Sequence, residues 1–88
     1  MLRDASSERL AAAVADVLRA VLGERGGDVH ADARLIDDLG LKSLDLASIV
    51  ARLEMTLDVD AFDSDVAITD VRTVADLTRL FESAEANK

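Results

Sequence analysis

Leu39-Gly40-Leu41-Lys42-Ser43-Leu44-Asp45-Leu46 is the stretch around which this chain is read. An apolar loop runs into a glycine, and Ser43 then stands at the mouth of an apolar-periodic segment that continues to about Leu57. A serine there can cap a helix, because its hydroxyl accepts a bond from one of the backbone N–H groups that have no partner in the first turn. The same position also suits a phosphate ester, since a helix start offers partial positive charge and free donors to an anion. The first reading is structural and the second functional. The residues on either side decide between them.

Downstream of Ser43 the segment has two apolar stripes. Leu46, Ile49, Val50, Leu53 and Leu57 fall within one arc and are expected to face a core. Leu44, Ala47, Ala51 and Met55 lie on the opposite side with Ser48 among them, where a surface helix normally carries charge. A domain of 88 residues cannot easily enclose a helix on both sides, so the second stripe reads as a docking surface.

Upstream lies a long connection from about Glu24 to Lys42, longer than most loops in compact domains. Leu35, Ile36, Leu39 and Leu41 are expected to pin it, at roughly 1.5–3 kcal/mol for each side chain buried. His30 has no second histidine and no cysteine for company, so it reads as an ordinary loop residue. Before this loop, Leu10, Val14, Val17, Leu18 and Val21 make one face of a first helix. Ser6 and Ser7 are its candidate caps, and Gly23, backed by Gly26 and Gly27, is its stop.

After Leu57 the chain turns acidic, with five aspartates and no base from Asp58 to Asp70. A calcium loop fails in detail: Phe62 takes the fifth position, Asp63 the place that needs glycine, and Thr69 the place of the bidentate Glu. A short helix around Asp63 to Ala67 is expected instead, with Ile68 and Val71 anchoring it. Thr73, with Asp76 three residues on, opens the last helix. Val74, Leu77, Phe81 and Ala84 form its buried face, and Glu85 to Lys88 should fray. The sum is an all-α single domain over residues 1–88, ordered from about 6 to 84, with three main helices and a short extra one.

Composition narrows the function. Net charge is −8, and residues 28–70 carry the whole imbalance, with eleven acids against Arg34, Lys42 and Arg52. Nucleic-acid binding needs the opposite sign, so a basic protein partner fits better. Cysteine and proline are absent, which rules out a disulfide framework and any thiolate site within the chain. No segment is long enough for a membrane span and none reads as a signal peptide, which favours a cytoplasmic protein and no membrane partner. The size, the starting Met1 and the polar tail favour a free-standing monomer, with a fragment of a larger synthase as the alternative.

In this setting the stretch from Leu39 to Leu46 resembles the attachment motif of acyl carrier proteins and the related peptidyl carrier proteins. The likeness covers nearly the whole chain: the long loop before the serine, the helix after it, the acidic link, and the segments Ile68-Thr69-Asp70-Val71 and Thr73-Val74-Ala75-Asp76-Leu77 occur in the family's order. The resemblance implies an acyl-carrier-like four-helix bundle whose Ser43 carries a 4′-phosphopantetheine arm. A phosphopantetheinyl transferase would move that arm from coenzyme A in a magnesium-dependent reaction. The arm's thiol would hold acyl, polyketide or aminoacyl groups as thioesters, and the carrier itself would catalyse nothing. Implied partners are that transferase together with an acyl- or aminoacyl-loading enzyme, an acyltransferase or a ketosynthase. By the same likeness, Lys42, Leu44, Asp45, Ala47, Ser48, Ala51, Met55 and Ile68 are the residues partners read.

Two departures from the family pattern matter. Lys42 stands where Asp is usual before the serine, which removes a capping side chain worth about 1 kcal/mol. Ser48, Arg52 and Met55 stand where Glu is frequent, so the docking face is more apolar than in fatty-acid carriers. That implies a specialised polyketide or nonribosomal peptide pathway rather than housekeeping fatty-acid synthesis. The alternatives are a peptidyl or aminoacyl carrier, and an acidic helical adaptor that never carries an arm and uses Ser43 only as a cap.

Overall fold

The computed structural model describes residues 2–23 and 29–88, with side chains from residue 8 onward. Three α-helices, α1 (Leu2–Leu22), α2 (Ser43–Leu57) and α3 (Val74–Ala86), build the domain, and α1 packs on both of the others. Between α2 and α3 run two 3-10 turns, Ala61–Asp63 and Ile68–Asp70. No strand forms among the described residues; one antiparallel bridge joins Arg34 to Thr73. No described helix is long and apolar enough to cross a membrane.

Helix α1 begins at Leu2, so Ser6 and Ser7 lie inside it rather than capping it. Nothing in Leu2 to Ala5 breaks a helix, and two serines in its interior cost only a few tenths of a kcal/mol each. Gly23 ends the helix with φ at 60°, a left-handed value that glycine adopts freely. The supporting stop expected at Gly26 and Gly27 lies outside the described residues. Leu10, Val14, Leu18 and Leu22 recur every four residues and are all buried, while Val17 and Val21 flank them half-buried. Leu22 therefore joins the expected face as one further buried residue.

The core between the helices is filled by Ile49, Val50 and Leu53 of α2, by Val74, Leu77, Leu80, Phe81 and Ala84 of α3, and by loop residues. Leu35, Leu39 and Leu41 of the loop before α2 are buried as expected, together with Ala33. Ile36 is not: it is half exposed. The N–H groups of Asp38 and Leu39 both donate to the Arg34 carbonyl, forming a single helical turn. Such a turn sets Leu35 and Leu39, four apart, on one side and Ile36 on another. The loop is also stitched to the start of α3, with Leu35 N–H donating to the Arg72 carbonyl at 2.8 Å and Val74 N–H to the Ala33 carbonyl at 3.0 Å.

The short helix expected at Asp63 to Ala67 is replaced by the two 3-10 turns. Asp60 takes the Phe62 N–H at 2.9 Å and starts a turn early. The Val66 N–H then donates to the Ser64 hydroxyl at 3.0 Å, and the Asp65 N–H to the Ser83 hydroxyl at 2.8 Å. Side-chain oxygens thus take the backbone donors that a helix would have used. Val71 is buried, whereas Ile68, the other expected anchor, stays half exposed. The C-terminus does not fray where expected: α3 runs to Ala86, and Asn87 Nδ2 donates to the Asp63 carbonyl at 2.9 Å. Lys88 pairs with Asp58 at 3.6 Å.

Candidate functional site

The site is built where the loop meets α2. Gly40, at φ 70°, lets the chain reverse after Leu39. Leu41 then sinks into the core, its N–H donating to the Leu35 carbonyl at 3.1 Å. Lys42 follows in an extended conformation and is the N-cap residue, so Ser43 is the first residue of the helix rather than its cap. An ammonium has donors and no acceptor, so the Lys42 side chain cannot close the first turn. Asp45 does half of that work: its carboxylate accepts the Lys42 N–H at 3.0 Å. An acid at this place also answers the positive end of the helix dipole.

Ser43 is exposed, and its hydroxyl makes no hydrogen bond among the described residues. The capping reading of Ser43 is thereby corrected: Ser43 is the first helical residue, the cap position belongs to Lys42, and the serine hydroxyl bonds none of the first-turn N–H groups. Lys42 is exposed beside it and makes no ion pair among the described residues. A free hydroxyl, the unpaired N–H groups of a first helical turn and an adjacent ammonium suit a phosphodiester in charge and donors.

From Ser43 the outer face of α2 runs as a stripe. Leu44 is 82% exposed and Met55 84%, with Ala47, Ser48 and Ala51 exposed between them. Eleven residues separate Leu44 from Met55, about 16 Å along the axis. Asp45 is half-buried at the stripe's edge. Among the expected partner-reading residues, Lys42 holds the cap position just outside α2 and Ile68 lies off it, in the second 3-10 turn. It borders a cavity of about 290 Å³ whose other walls include Val50, Glu54, Phe62, Val66 and Leu80. Met55 also edges an open groove of about 440 Å³ between α1 and α2, with Ala13, Val17, Ala20 and Arg52.

Phe62, at the cavity's mouth, is 95% exposed, a placement that the sequence pattern does not announce. The available signal was a lone aromatic among aspartates. No cluster of potential metal ligands occurs among the described residues.

Charge around the loop is held by short-range pairs. Arg34 bonds and pairs with Asp38, and the Arg34 backbone N–H donates to the same carboxylate at 2.8 Å. That N–H, aided by the guanidinium, lowers the Asp38 carboxyl below its ordinary value. At α3 the Arg72 N–H, followed by that of Thr73, lowers Asp76 in the same way.

Comparison with known proteins agrees with this geometry. The family described as the phosphopantetheine attachment site matches residues 9–81. An acyl carrier protein of Thermotoga maritima is 35% identical over 78 residues, covering 89% of this chain and 94% of the relative. One from Syntrophobacter fumaroxidans is 34% identical over 64 residues, covering 73% and 76%. Among solved structures, MacpD, an acyl carrier protein from Pseudomonas fluorescens involved in mupirocin biosynthesis, superposes with a TM-score of 0.73 at 38% identity, covering 91% of this chain and 74% of that one. With an all-α fold and a free serine opening its second helix, the chain belongs to the phosphopantetheine-binding family of acyl carrier proteins.

Proposed function

We propose that Ser43 is the residue that takes the phosphopantetheine arm, and that the chain is a non-catalytic carrier of a specialised biosynthetic pathway. The observation that carries this reading is the Ser43 hydroxyl, exposed and unbonded at the first turn of α2. Its oxygen attacks the phosphorus of coenzyme A that bears the pantetheine, the pyrophosphate P–O bond breaks, adenosine 3′,5′-bisphosphate leaves, and the hydroxyl proton passes to the transferase. The first-turn N–H groups and the Lys42 ammonium then face the phosphodiester and offset its charge. When bound, the arm supplies a thiol on which an acyl, polyketide or aminoacyl group is held as a thioester, chemistry that a chain without cysteine cannot provide.

The outer stripe of α2, from Leu44 through Ala47, Ser48 and Ala51 to Met55, docks the enzymes that load and use the cargo, and Asp45, Lys42 and Ile68 complete that surface. Apolar side chains at the centre of such a surface carry most of its binding energy. Its shortage of acids favours dedicated partners over housekeeping fatty-acid enzymes, and the likeness to a carrier involved in mupirocin biosynthesis agrees with this. Lys42 tunes which transferase is accepted. Lys42→Asp is expected to change relative modification rates across several transferases; equal rates would remove that role.

The test of the attachment is intact mass after incubation with coenzyme A, magnesium and a broad-specificity phosphopantetheinyl transferase. The wild type is expected to gain one arm and Ser43→Ala none. A gain on Ser43→Ala equal to the wild type would refute the assignment.

A further inference from the structure

The chain has two aromatic residues, and they are placed in opposite ways. Phe81 is fully buried, and Phe62 is 95% exposed. Phe62 is not on a loose loop. Its own N–H donates to Asp60 at 2.9 Å, the neighbouring Ala61 N–H donates to Glu54 Oε2 at 2.9 Å, and the Ser64 N–H closes the turn on the Ala61 carbonyl at 3.1 Å. These bonds fix the backbone so that the ring stands in water. Ile68 and Ala67, both exposed, border the same cavity mouth, so the ring belongs to a continuous apolar patch. Around that patch the chain from Leu53 to Val71 carries Glu54, Asp58, Asp60, Asp63, Asp65 and Asp70 with no base. Lys88 reaches back to Asp58 from the C-terminus.

An exposed aromatic on a hydrogen-bonded turn, within a stretch that carries six carboxylates and no base, is complementary to an apolar pocket rimmed by Lys and Arg. We propose that Phe62 is the anchor by which the phosphopantetheinyl transferase grips this chain, seated in such a pocket on that enzyme. The inference rests on the reading of the chain as a carrier. The transferase is favoured over later enzymes because it acts on the bare protein. Later enzymes also hold the arm and its cargo, whereas the transferase has only protein surface to recognise. Phe62 shares its cavity with Val50 and Glu54, seven and eleven residues after Ser43 on α2, or about 10–16 Å along the axis. Contact there adds affinity without touching the reacting hydroxyl.

The experiment is steady-state transfer kinetics with a broad-specificity transferase, coenzyme A and magnesium, on wild type, Phe62→Ala and Phe62→Leu. Sedimentation and thermal melts run alongside. The expected result is a carrier KM raised about tenfold by Phe62→Ala with kcat unchanged, and a smaller rise for Phe62→Leu. Salt should raise the wild-type KM further, and less so in Asp63→Asn/Asp65→Asn. Melting should not move, because the ring is outside the core. A KM within twofold of wild type, or a fall in kcat alone, would overturn the anchor. So would a wild-type dimer that Phe62→Ala converts to monomer, since the ring would then join copies of the chain. If the wild type takes no arm at all, the carrier reading falls and this proposal with it.

Discussion

Ser43 opens α2 without capping it, and that has a measurable consequence. Removing a capping hydroxyl costs about 0.5–2 kcal/mol, but an exposed, unbonded one costs close to nothing. Ser43→Ala is therefore expected to melt within about 2 °C of the wild type while losing modification entirely. A drop of 5 °C or more would restore the capping role. At Lys42 the expectation is the reverse. Lysine has no acceptor to offer the first turn, so Lys42→Asp should stabilise the domain by about 1 kcal/mol in chemical denaturation. The backbone around Ser43 was legible in the sequence because Leu39, Gly40, Leu41 and Ser43 lie within five residues. Phe62 was not legible as an exposed knob. Its placement depends on backbone N–H bonds accepted by Asp60 and Glu54 and on the tie of Asp65 to Ser83, eighteen residues away.

The helices follow their apolar periodicity, and their ends follow their caps. Thr73 accepts the Asp76 N–H at 3.1 Å and Asp76 accepts the Thr73 N–H at 3.1 Å, as the sequence spacing predicts. Thr73→Ala should cost about 1 kcal/mol and lower the melting temperature by about 4–8 °C. An unchanged melt would mean that the bridge to Arg34 alone holds this end of α3. Where local signals compete, the sequence is less decisive. Ser64 and Ser83 divert the backbone donors that a short helix after Asp63 would need, and one of those serines is on α3. Ser6 and Ser7 looked like caps because serine favours that role, yet the residues before them continue the helix.

For the whole molecule, the long acidic middle is compatible with folding because several of its carboxylates are tied to backbone donors. Asp38 and Asp76 both titrate below the ordinary value of 3.8 in the folded chain. A carboxyl lowered on folding stabilises the protein above its unfolded value, and that contribution is lost as pH falls through the folded one. Denaturation midpoints should therefore fall as pH drops from 5 to 3, and Asp38→Asn/Asp76→Asn should lose less over that interval than the wild type. Equal slopes would place the acid sensitivity elsewhere. The all-α architecture was readable from Ala-, Leu- and Val-rich periodic segments, whereas the stitching of the loop to Arg72 and Thr73 was not, since it joins backbone groups far apart in sequence. The central claim is that one hydroxyl, that of Ser43, carries the arm. The most direct measurement is fragment mass mapping of the transferase-treated wild type. Ser48, also exposed on α2, is the nearest serine competitor in sequence. The prediction is a single phosphopantetheine on the fragment ion series at Ser43, with Ser48 unmodified. An arm on Ser48, or on any other residue, would contradict the account.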